Sequence, residues 1–152
     1  MTATLRGDGS GRQEDRQRGF SLIEMMVVIG IMAIILAVAL PAFSAWREST
    51  ALQSASETLM SHIKQARVMA VAGNRSVSIT FTSSSYTLDA TGANPQQFLL
   101  SDYSKTLTMA YTAATLTFAS GGTANTETVT VQNANGTSKA ISVNIVGRAY
   151  YN

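Results

Sequence analysis

The chain becomes strongly apolar at RGFSLIEMMVVIGIMAIILAVALPAF, residues 18–43. From Phe20 to Trp46 the only charged residue is Glu24, and the run exceeds the length of about 20 apolar residues that spans a bilayer. A basic residue, Arg18, lies just ahead of it, which predicts that the N-terminal residues stay on the cytoplasmic side. We therefore expect one membrane-spanning helix, with the rest of the chain on the far side of the membrane.

The apolar run differs from a cleavable signal peptide, whose apolar core is about 7 to 15 residues long and precedes a cleavage site of small residues. Here the run continues through Pro41 into Trp46 and then into an amphipathic segment, which predicts that it is kept. Pro41 removes a backbone donor and clashes one turn back, and Gly30 weakens the same helix. We expect a kink or a local melt near Pro41. Alternatively, both residues are simply tolerated, as in many membrane helices.

After Trp46 the apolar residues recur every three or four positions, as in a helix with one buried face. They are Leu52, Ala55, Leu59, Ile63, Ala66 and Ala70. The simplest interpretation is one continuous helix from Ser21 to Ala72. Gly73-Asn74 provides its stop, because Gly commonly follows the last helical turn.

Beyond this helix the apolar residues alternate with Ser and Thr, which predicts β-strands. The candidate strands are Val77–Phe81, Tyr86–Leu88, Phe98–Leu100, Leu107–Tyr111, Leu116–Phe118, Val129–Val131 and Ile141–Val146. The first two form a hairpin, and the turns between the others include Thr91–Pro95, Gly121-Gly122 and Asn133–Gly136. Asn135-Gly136 is a tight-turn signal. The pattern predicts an antiparallel β domain packed against the helix, which is an α+β arrangement.

The residues around Gly19 resemble the type IV prepilin signature. That signature has a basic leader ending in Gly, an aromatic first mature residue and a Glu four positions further on, here Gly19, Phe20 and Glu24. The resemblance implies that a prepilin peptidase cleaves between Gly19 and Phe20 and that the new amine of Phe20 is N-methylated. In a filament, Glu24 would pair with the Phe20 amine of a neighbouring subunit. The alternative is a plain membrane anchor with Glu24 near its cytoplasmic end.

The second half of the chain resembles the GspH and FimT group of minor pilins and pseudopilins. The matching features are the strand residues Thr117-Phe118, the turn Gly121-Gly122, two further strands and the terminal pair Gly147-Arg148. The resemblance implies a pilin-like α+β fold. Its long N-terminal helix spans the membrane in its first half, is amphipathic in its second half and packs on a C-terminal antiparallel β domain. A minor subunit is favoured because the chain has no cysteine, whereas many major pilins carry a disulfide loop.

The composition excludes several kinds of functional site. The chain has no cysteine, so it cannot form a thiolate metal site. Its single histidine, His62, lies beside Ile63 and close to Leu59 on the amphipathic helix, so neither a metal site nor a His-based catalytic triad is expected there. Carboxylate pairs such as Asp89 and Asp102 have no neighbouring base that would mark a general acid–base site. We therefore expect no enzymatic activity, no metal site and no cofactor.

Together these observations predict a structural minor subunit of a type II secretion pseudopilus or a type IV pilus, with an initiation or tip role. The expected partners are prepilin peptidase, other pilins or pseudopilins, the inner-membrane assembly platform and the inner membrane itself. Residues 1–19 would be the cleaved leader, 20–46 the transmembrane and filament-core helix, 47–73 its amphipathic continuation and 74–152 a periplasmic head. The helix would leave the inner membrane when the subunit enters a periplasmic filament.

A DNA-binding minor pilin is the alternative function. Tyr150 beside Arg148 could stack on a nucleic-acid strand, and Lys139 adds a positive charge. Some pilins that resemble this chain bind DNA through an Arg two residues after the terminal Gly-Arg pair, and here that position is Tyr150. Residues 20–152 carry seven Lys or Arg against six Asp or Glu, so no overall charge attracts nucleic acid. A nucleic-acid partner is not expected.

Overall fold

The computed structural model describes residues 20–90 and 94–152. Its first element is one α-helix, α1, at Leu22–Ala72. This confirms the predicted helix to within one residue at its start. The division between two compact units falls inside α1, between Ala39 and Leu40.

The helix is continuous at both residues that were expected to weaken it. Gly30 and Pro41 lie within the α-helical segment, and the Ser44 hydroxyl donates to the Pro41 carbonyl at 2.9 Å. A Cβ atom placed on Gly30 would meet nothing within 4 Å, so no close packing requires glycine there. The helix shows no local melt at Pro41, and a kink there stays a prediction.

Helix α1 ends in a Schellman motif built on Asn74. The N–H of Arg75 donates to the Ala70 carbonyl at 3.1 Å, and the N–H of Asn74 donates to the Val71 carbonyl at 3.3 Å. Asn74 has a positive φ of 45°. The predicted stop is confirmed, but Asn74 rather than Gly73 takes the left-handed conformation, which Asn tolerates better than most residues with a Cβ.

Within the described residues, the head contains two antiparallel sheets. The first sheet has the order β3-β2-β1-β5 and consists of β1 (Val77–Phe81), β2 (Ser85–Ala90), β3 (Gln96–Leu99) and β5 (Thr115–Phe118). The second has the order β4-β6-β7-β8 and consists of β4 (Thr108–Tyr111), β6 (Glu127–Gln132), β7 (Ser138–Val143) and β8 (Ala149–Tyr151). A 3₁₀ helix at Leu100–Asp102 lies between β3 and β4. The predicted hairpin is confirmed as β1–β2.

The end of the chain differs from the prediction. The strand expected at Ile141–Val146 ends at Val143, because Asn144 begins a turn closed by a 2.8 Å bond from the Gly147 N–H to the Asn144 carbonyl. The sequence did not indicate β8, whose three residues are too few to show a period of two. A short final strand therefore completes the second sheet.

The predicted Asn135-Gly136 turn is present between β6 and β7. Gly136 has φ +79°, and its N–H donates to the Asn133 carbonyl at 3.1 Å. The buried side chain of Asn133 completes the turn, because its Oδ1 accepts the N–H groups of Asn135 and Thr137 at 3.1 and 3.0 Å. Of the predicted turn at Thr91–Pro95, residues 91–93 lie outside the described residues.

One hydrophobic core joins the helix to both sheets. Every residue of the predicted apolar stripe of α1 is buried, and Met60 is buried with them. The sheets contribute alternating residues, as half-buried strands do. The contributing sheet residues include Val77, Ile79, Phe81, Leu88, Leu116, Phe118, Val129, Val131, Ile141 and Val143.

Two carboxylates fasten loops of the head. Glu127, which is 1% exposed, accepts the N–H of Thr112 at 2.8 Å and the N–H of Ala113 at 2.8 and 3.0 Å. Glu48 of α1 accepts the Ser104 hydroxyl at 3.0 Å and the Thr106 hydroxyl at 2.5 Å. Because a buried carboxylate is costly without such donors, the Glu127 bonds fix the segment between β4 and β5.

Candidate assembly site

The one charged residue of the apolar run lies in the first turn of α1. Ser21 precedes the helix, and its hydroxyl oxygen accepts the N–H of Glu24 at 3.2 Å, which is an N-cap arrangement. Ser21 and Glu24 have the spacing of a capping box, so the sequence also held an independent signal for this helix start. The helix dipole favours a carboxylate at this end of a helix.

The predicted processing site borders the described residues. Gly19 lies outside them, and Phe20 is the first residue described, with 72% of its side chain exposed. Cleavage between Gly19 and Phe20 and methylation of the Phe20 amine therefore stay predictions.

The apolar surface of α1 is exposed from Phe20 to Trp46. Its large apolar side chains are 47–83% exposed, and the first fully covered residue of the helix is Leu52. By length and composition the helix can cross a membrane. A helix that is apolar all round requires lipid or other helices around it, because the exposure of this apolar surface to water is unfavourable.

The Gly147-Arg148 pair lies where three parts of the head meet, and we call this place the Arg67 junction. Arg67 of α1 donates its Nε–H to the carbonyl of Gly122, in the loop between β5 and β6, at 3.1 Å. A Cβ atom on Gly147 would lie 2.1 Å from that carbonyl oxygen and 3.0 Å from Arg67 Nε. Gly122 and Gly147 have φ values of +79° and +73°. The positive φ of both residues, together with the close backbone approach at Gly147, therefore explains why glycine occupies these positions.

Two segments of the chain match known families. Residues 15–40 match the family described as prokaryotic N-terminal methylation motif. Residues 55–147, more than half of the chain, match the family described as type II transport protein GspH. The chain belongs to the GspH family. This GspH-family protein is a minor pilin or pseudopilin with a prepilin-peptidase-type motif, and its families comprise structural proteins rather than known enzymes.

Solved structures share the pilin-like fold of this GspH-family protein. The type IV minor pilin FimU of Pseudomonas aeruginosa has a TM-score of 0.57 and 24% identity, covering 70% of this chain and 92% of FimU. The minor pseudopilin EpsH from the type 2 secretion system of Vibrio cholerae has a TM-score of 0.55 and 11% identity, covering 66% of this chain and 95% of EpsH. These likenesses confirm the predicted α+β fold.

A curated relative also matches part of the GspH-family chain. Prepilin peptidase-dependent protein D of Escherichia coli K12 is 48% identical over 46 residues. The match covers 30% of this chain and 32% of the relative, so the chain spans about a third of that protein's length.

The GspH-family head does not bring the three predicted DNA-contacting residues together. Tyr150 pairs with Ser142 across the second sheet, and Lys139 lies three residues before Ser142, so Lys139 and Tyr150 face opposite sides of that sheet. The Lys139 ammonium instead lies 5.7 Å from the ring centre of Tyr151. Arg148 lines a groove beside Arg67. DNA binding is not supported.

The single histidine is partly buried at the surface of the GspH-family head. His62 Nδ1 is hydrogen-bonded to the Tyr86 hydroxyl at 2.7 Å, and the His62 ring lies 4.1 Å from the Phe98 ring, centre to centre. Burial lowers the pKa of His62 and raises the pKa of Tyr86. No group of three potential metal ligands is found within the part of the chain that the structure describes. The contacts of His62 with Tyr86 and Phe98 are those of a packing residue.

Proposed function

We propose that this protein is a minor filament subunit that prepilin peptidase cuts between Gly19 and Phe20 and that enters the filament through α1. The filament is a type II secretion pseudopilus or a type IV pilus. The observation that carries the proposal is the exposed apolar surface from Phe20 to Trp46, with Glu24 in its first turn. Before assembly this helix lies in the inner membrane and the head lies in the periplasm. In the filament, packing against other helices replaces lipid contacts.

Glu24 is the residue on which assembly depends. A carboxylate in hydrocarbon costs about 2.5 to 3.5 kcal/mol on insertion scales, so a partner is needed once the helix is surrounded by others. The processed Phe20 amine of a neighbouring subunit supplies the opposite charge. Removal of one partner from a buried ion pair costs about 3 to 5 kcal/mol, whereas the pair itself contributes mainly register. Capping by Ser21 positions Glu24 but leaves its carboxylate available for this pairing.

The first test replaces Glu24 in the full chain in its own host. We expect Glu24→Ala and Glu24→Gln to be processed normally and to accumulate in the membrane, while their recovery in sheared filaments falls by roughly tenfold or more, as the loss of a buried charge partner predicts. The exposed Glu57 provides a matched control, Glu57→Ala, that leaves recovery unchanged. Parental recovery of Glu24→Ala in filaments would instead favour a plain membrane anchor.

The second test examines the processed N-terminus. Mass spectrometry of the mature chain should find N-methylated Phe20 as its first residue. Gly19→Val should retain the leader, because a β-branched side chain blocks the close approach of a protease to this bond. An unmodified or differently placed N-terminus would contradict the assignment of Gly19 and Phe20.

The choice between the two filaments needs a comparison of the parent strain with a clean deletion strain. Loss of secreted proteins with intact pili assigns the subunit to the secretion pseudopilus, and loss of pili with intact secretion assigns it to the pilus. An initiation or tip role predicts fewer filaments of normal length, because a subunit used once per filament limits their number. Shorter filaments in normal number would contradict that role.

A further inference from the structure

The turn between β7 and β8 carries two exposed aliphatic side chains that the turn itself does not require. Ile145 and Val146 occupy its two central positions and are 70% and 51% exposed. The turn is closed by the Gly147 N–H bond to Asn144, and the Asn144 side chain also accepts the N–H of Arg148 at 2.9 Å. Small or polar residues usually occupy such positions, so the turn geometry leaves the two aliphatic side chains unexplained.

Helix α1 presents two more exposed aliphatic residues around the same junction. Val68 and Val71 are 65% and 52% exposed. Val71 Cγ2 would lie 2.9 Å from a Cβ atom on Gly122, and Val68 lines a groove with Gly147. Single exposed aliphatic residues are ordinary, whereas four of them around one junction form a patch of the kind that binds other proteins.

The groove beside this patch is cationic. It has a volume of about 390 Å³ and is lined by Lys64, Arg67 and Arg148, together with Val68, Gly147 and Ala149. No acidic residue lines it. The Nε–H of Arg67 is held by the Gly122 carbonyl, so its guanidinium loses little freedom when it binds a carboxylate. Three like charges in one groove favour a partner of opposite charge.

We propose that this surface, the junction face, binds the head of another pilin-type subunit that presents carboxylates beside apolar side chains. The junction face comprises the four aliphatic residues and the three cationic ones just described. The class of partner rests on the proposed function, in which the chain assembles with other pilins. Aliphatic side chains cannot stack on bases, so the composition of this face favours a protein over a nucleic acid. The aliphatic patch supplies burial, and the cationic groove fixes orientation.

The test is site-specific photocrosslinking of the full chain in its own host. Ile145→p-benzoylphenylalanine places the probe in the junction face, and Ala134→p-benzoylphenylalanine places it in the exposed turn between β6 and β7 as the matched control. We expect an adduct from position 145 only, and we expect mass spectrometry to identify its partner as a different pilin-type chain crosslinked near Asp or Glu residues. No adduct above the control, or an adduct with lipid, nucleic acid or a second copy of this chain, would overturn the proposal.

Charge variants then test the groove itself. Arg148→Glu should lower the adduct yield by roughly tenfold or more, Arg148→Gln by less, and the exposed cation outside the groove, Lys105→Glu, should leave it unchanged. Arg148 is exposed, so protease resistance of the full chain in detergent should be the same in all three. Equal yields from Arg148→Glu and Lys105→Glu would overturn the role of the groove. The filament function is tested separately, since Glu24→Ala alters filament recovery without altering the junction face.

Discussion

Alanine at Gly147 should destabilise the head far more than alanine at Gly136, although both glycines have nearly the same backbone conformation. Their φ values are +73° and +79°, and Gly122 shares the value of +79°. The three positions differ in what a Cβ atom would meet. A Cβ atom on Gly136 would meet nothing within 4 Å. On Gly122 it would lie 2.9 Å from the Val71 side chain, and on Gly147 it would lie 2.1 Å from the Gly122 carbonyl oxygen.

These differences give a graded series of costs. Gly136→Ala should lower the free energy of unfolding only by the left-handed strain, about 1 to 2 kcal/mol. Gly122→Ala adds a contact that the exposed Val71 side chain can relieve by rotation, at a further cost of about 1 kcal/mol. Gly147→Ala must displace a backbone carbonyl that accepts a bond from Arg67, so overpacking and loss of a charged hydrogen bond bring the total to roughly 4 kcal/mol or more. That is a large part of the 5 to 15 kcal/mol of a typical domain.

Urea titration with pulse proteolysis of the full chain in detergent measures the series. With a slope of about 2 kcal/mol per molar urea, Gly136→Ala should lower the midpoint by roughly 0.5 to 1 M and Gly147→Ala by roughly 2 M or more. Arg67→Ala should lower the midpoint by roughly 0.7 to 1.5 M, less than Gly147→Ala, because it removes the same bond without the strain and the overpacking. Equal midpoints for Gly136→Ala and Gly147→Ala would refute the argument that close backbone approach at the Arg67 junction stabilises the head.

Three further predictions concern single side chains. Glu127→Gln should lower the free energy of unfolding by about 1 to 3 kcal/mol, because one amide oxygen replaces two carboxylate oxygens, while the exposed Glu57→Gln changes it by less than about 0.5 kcal/mol in the same urea assay. Burial lowers the pKa of His62 in the folded chain, so the unfolded chain binds the imidazole proton more tightly. The urea midpoint should therefore fall as the pH drops below about 6.5, and His62→Gln should make the midpoint depend less on pH. A steeper slope in His62→Gln would contradict this sign. Ser21→Ala should speed hydrogen exchange of the Glu24 N–H by roughly fivefold through loss of an N-cap bond, whereas Ser21→Asp should keep the parental rate.

The parts of the fold that could be predicted from the sequence are those with local signals. The stripe from Leu52 to Ala70 repeats over several turns, so the helical period is unambiguous and the buried face is as expected. The β1–β2 hairpin follows from alternation on both sides of a short turn. The prepilin motif was also recognisable because Gly19, Phe20 and Glu24 lie within six residues.

The residues that the sequence did not indicate depend on contacts between distant segments. Arg67 and Gly122 are 55 residues apart, so nothing near either one marks their bond. Glu127 accepts backbone donors 14 and 15 residues earlier, so its neighbours in the sequence do not mark these bonds. Such bonds become visible only once the chain is folded. The early end of β7 instead follows from a local turn, in which the Gly147 N–H donates to the Asn144 carbonyl and the Arg148 N–H to the Asn144 side chain.

The order of strands also has a consequence for how the head folds. The first sheet needs β5, which follows β4 of the second sheet along the chain, and the second sheet is completed only by β8 at the end of the chain. Each sheet therefore includes a strand that follows a strand of the other sheet along the chain. This interleaving raises the contact order and slows folding. A chain that has not yet placed β8 leaves the β7 edge of the second sheet open to aggregation. Newly made heads of this topology are expected to need protection until their last strand is in place.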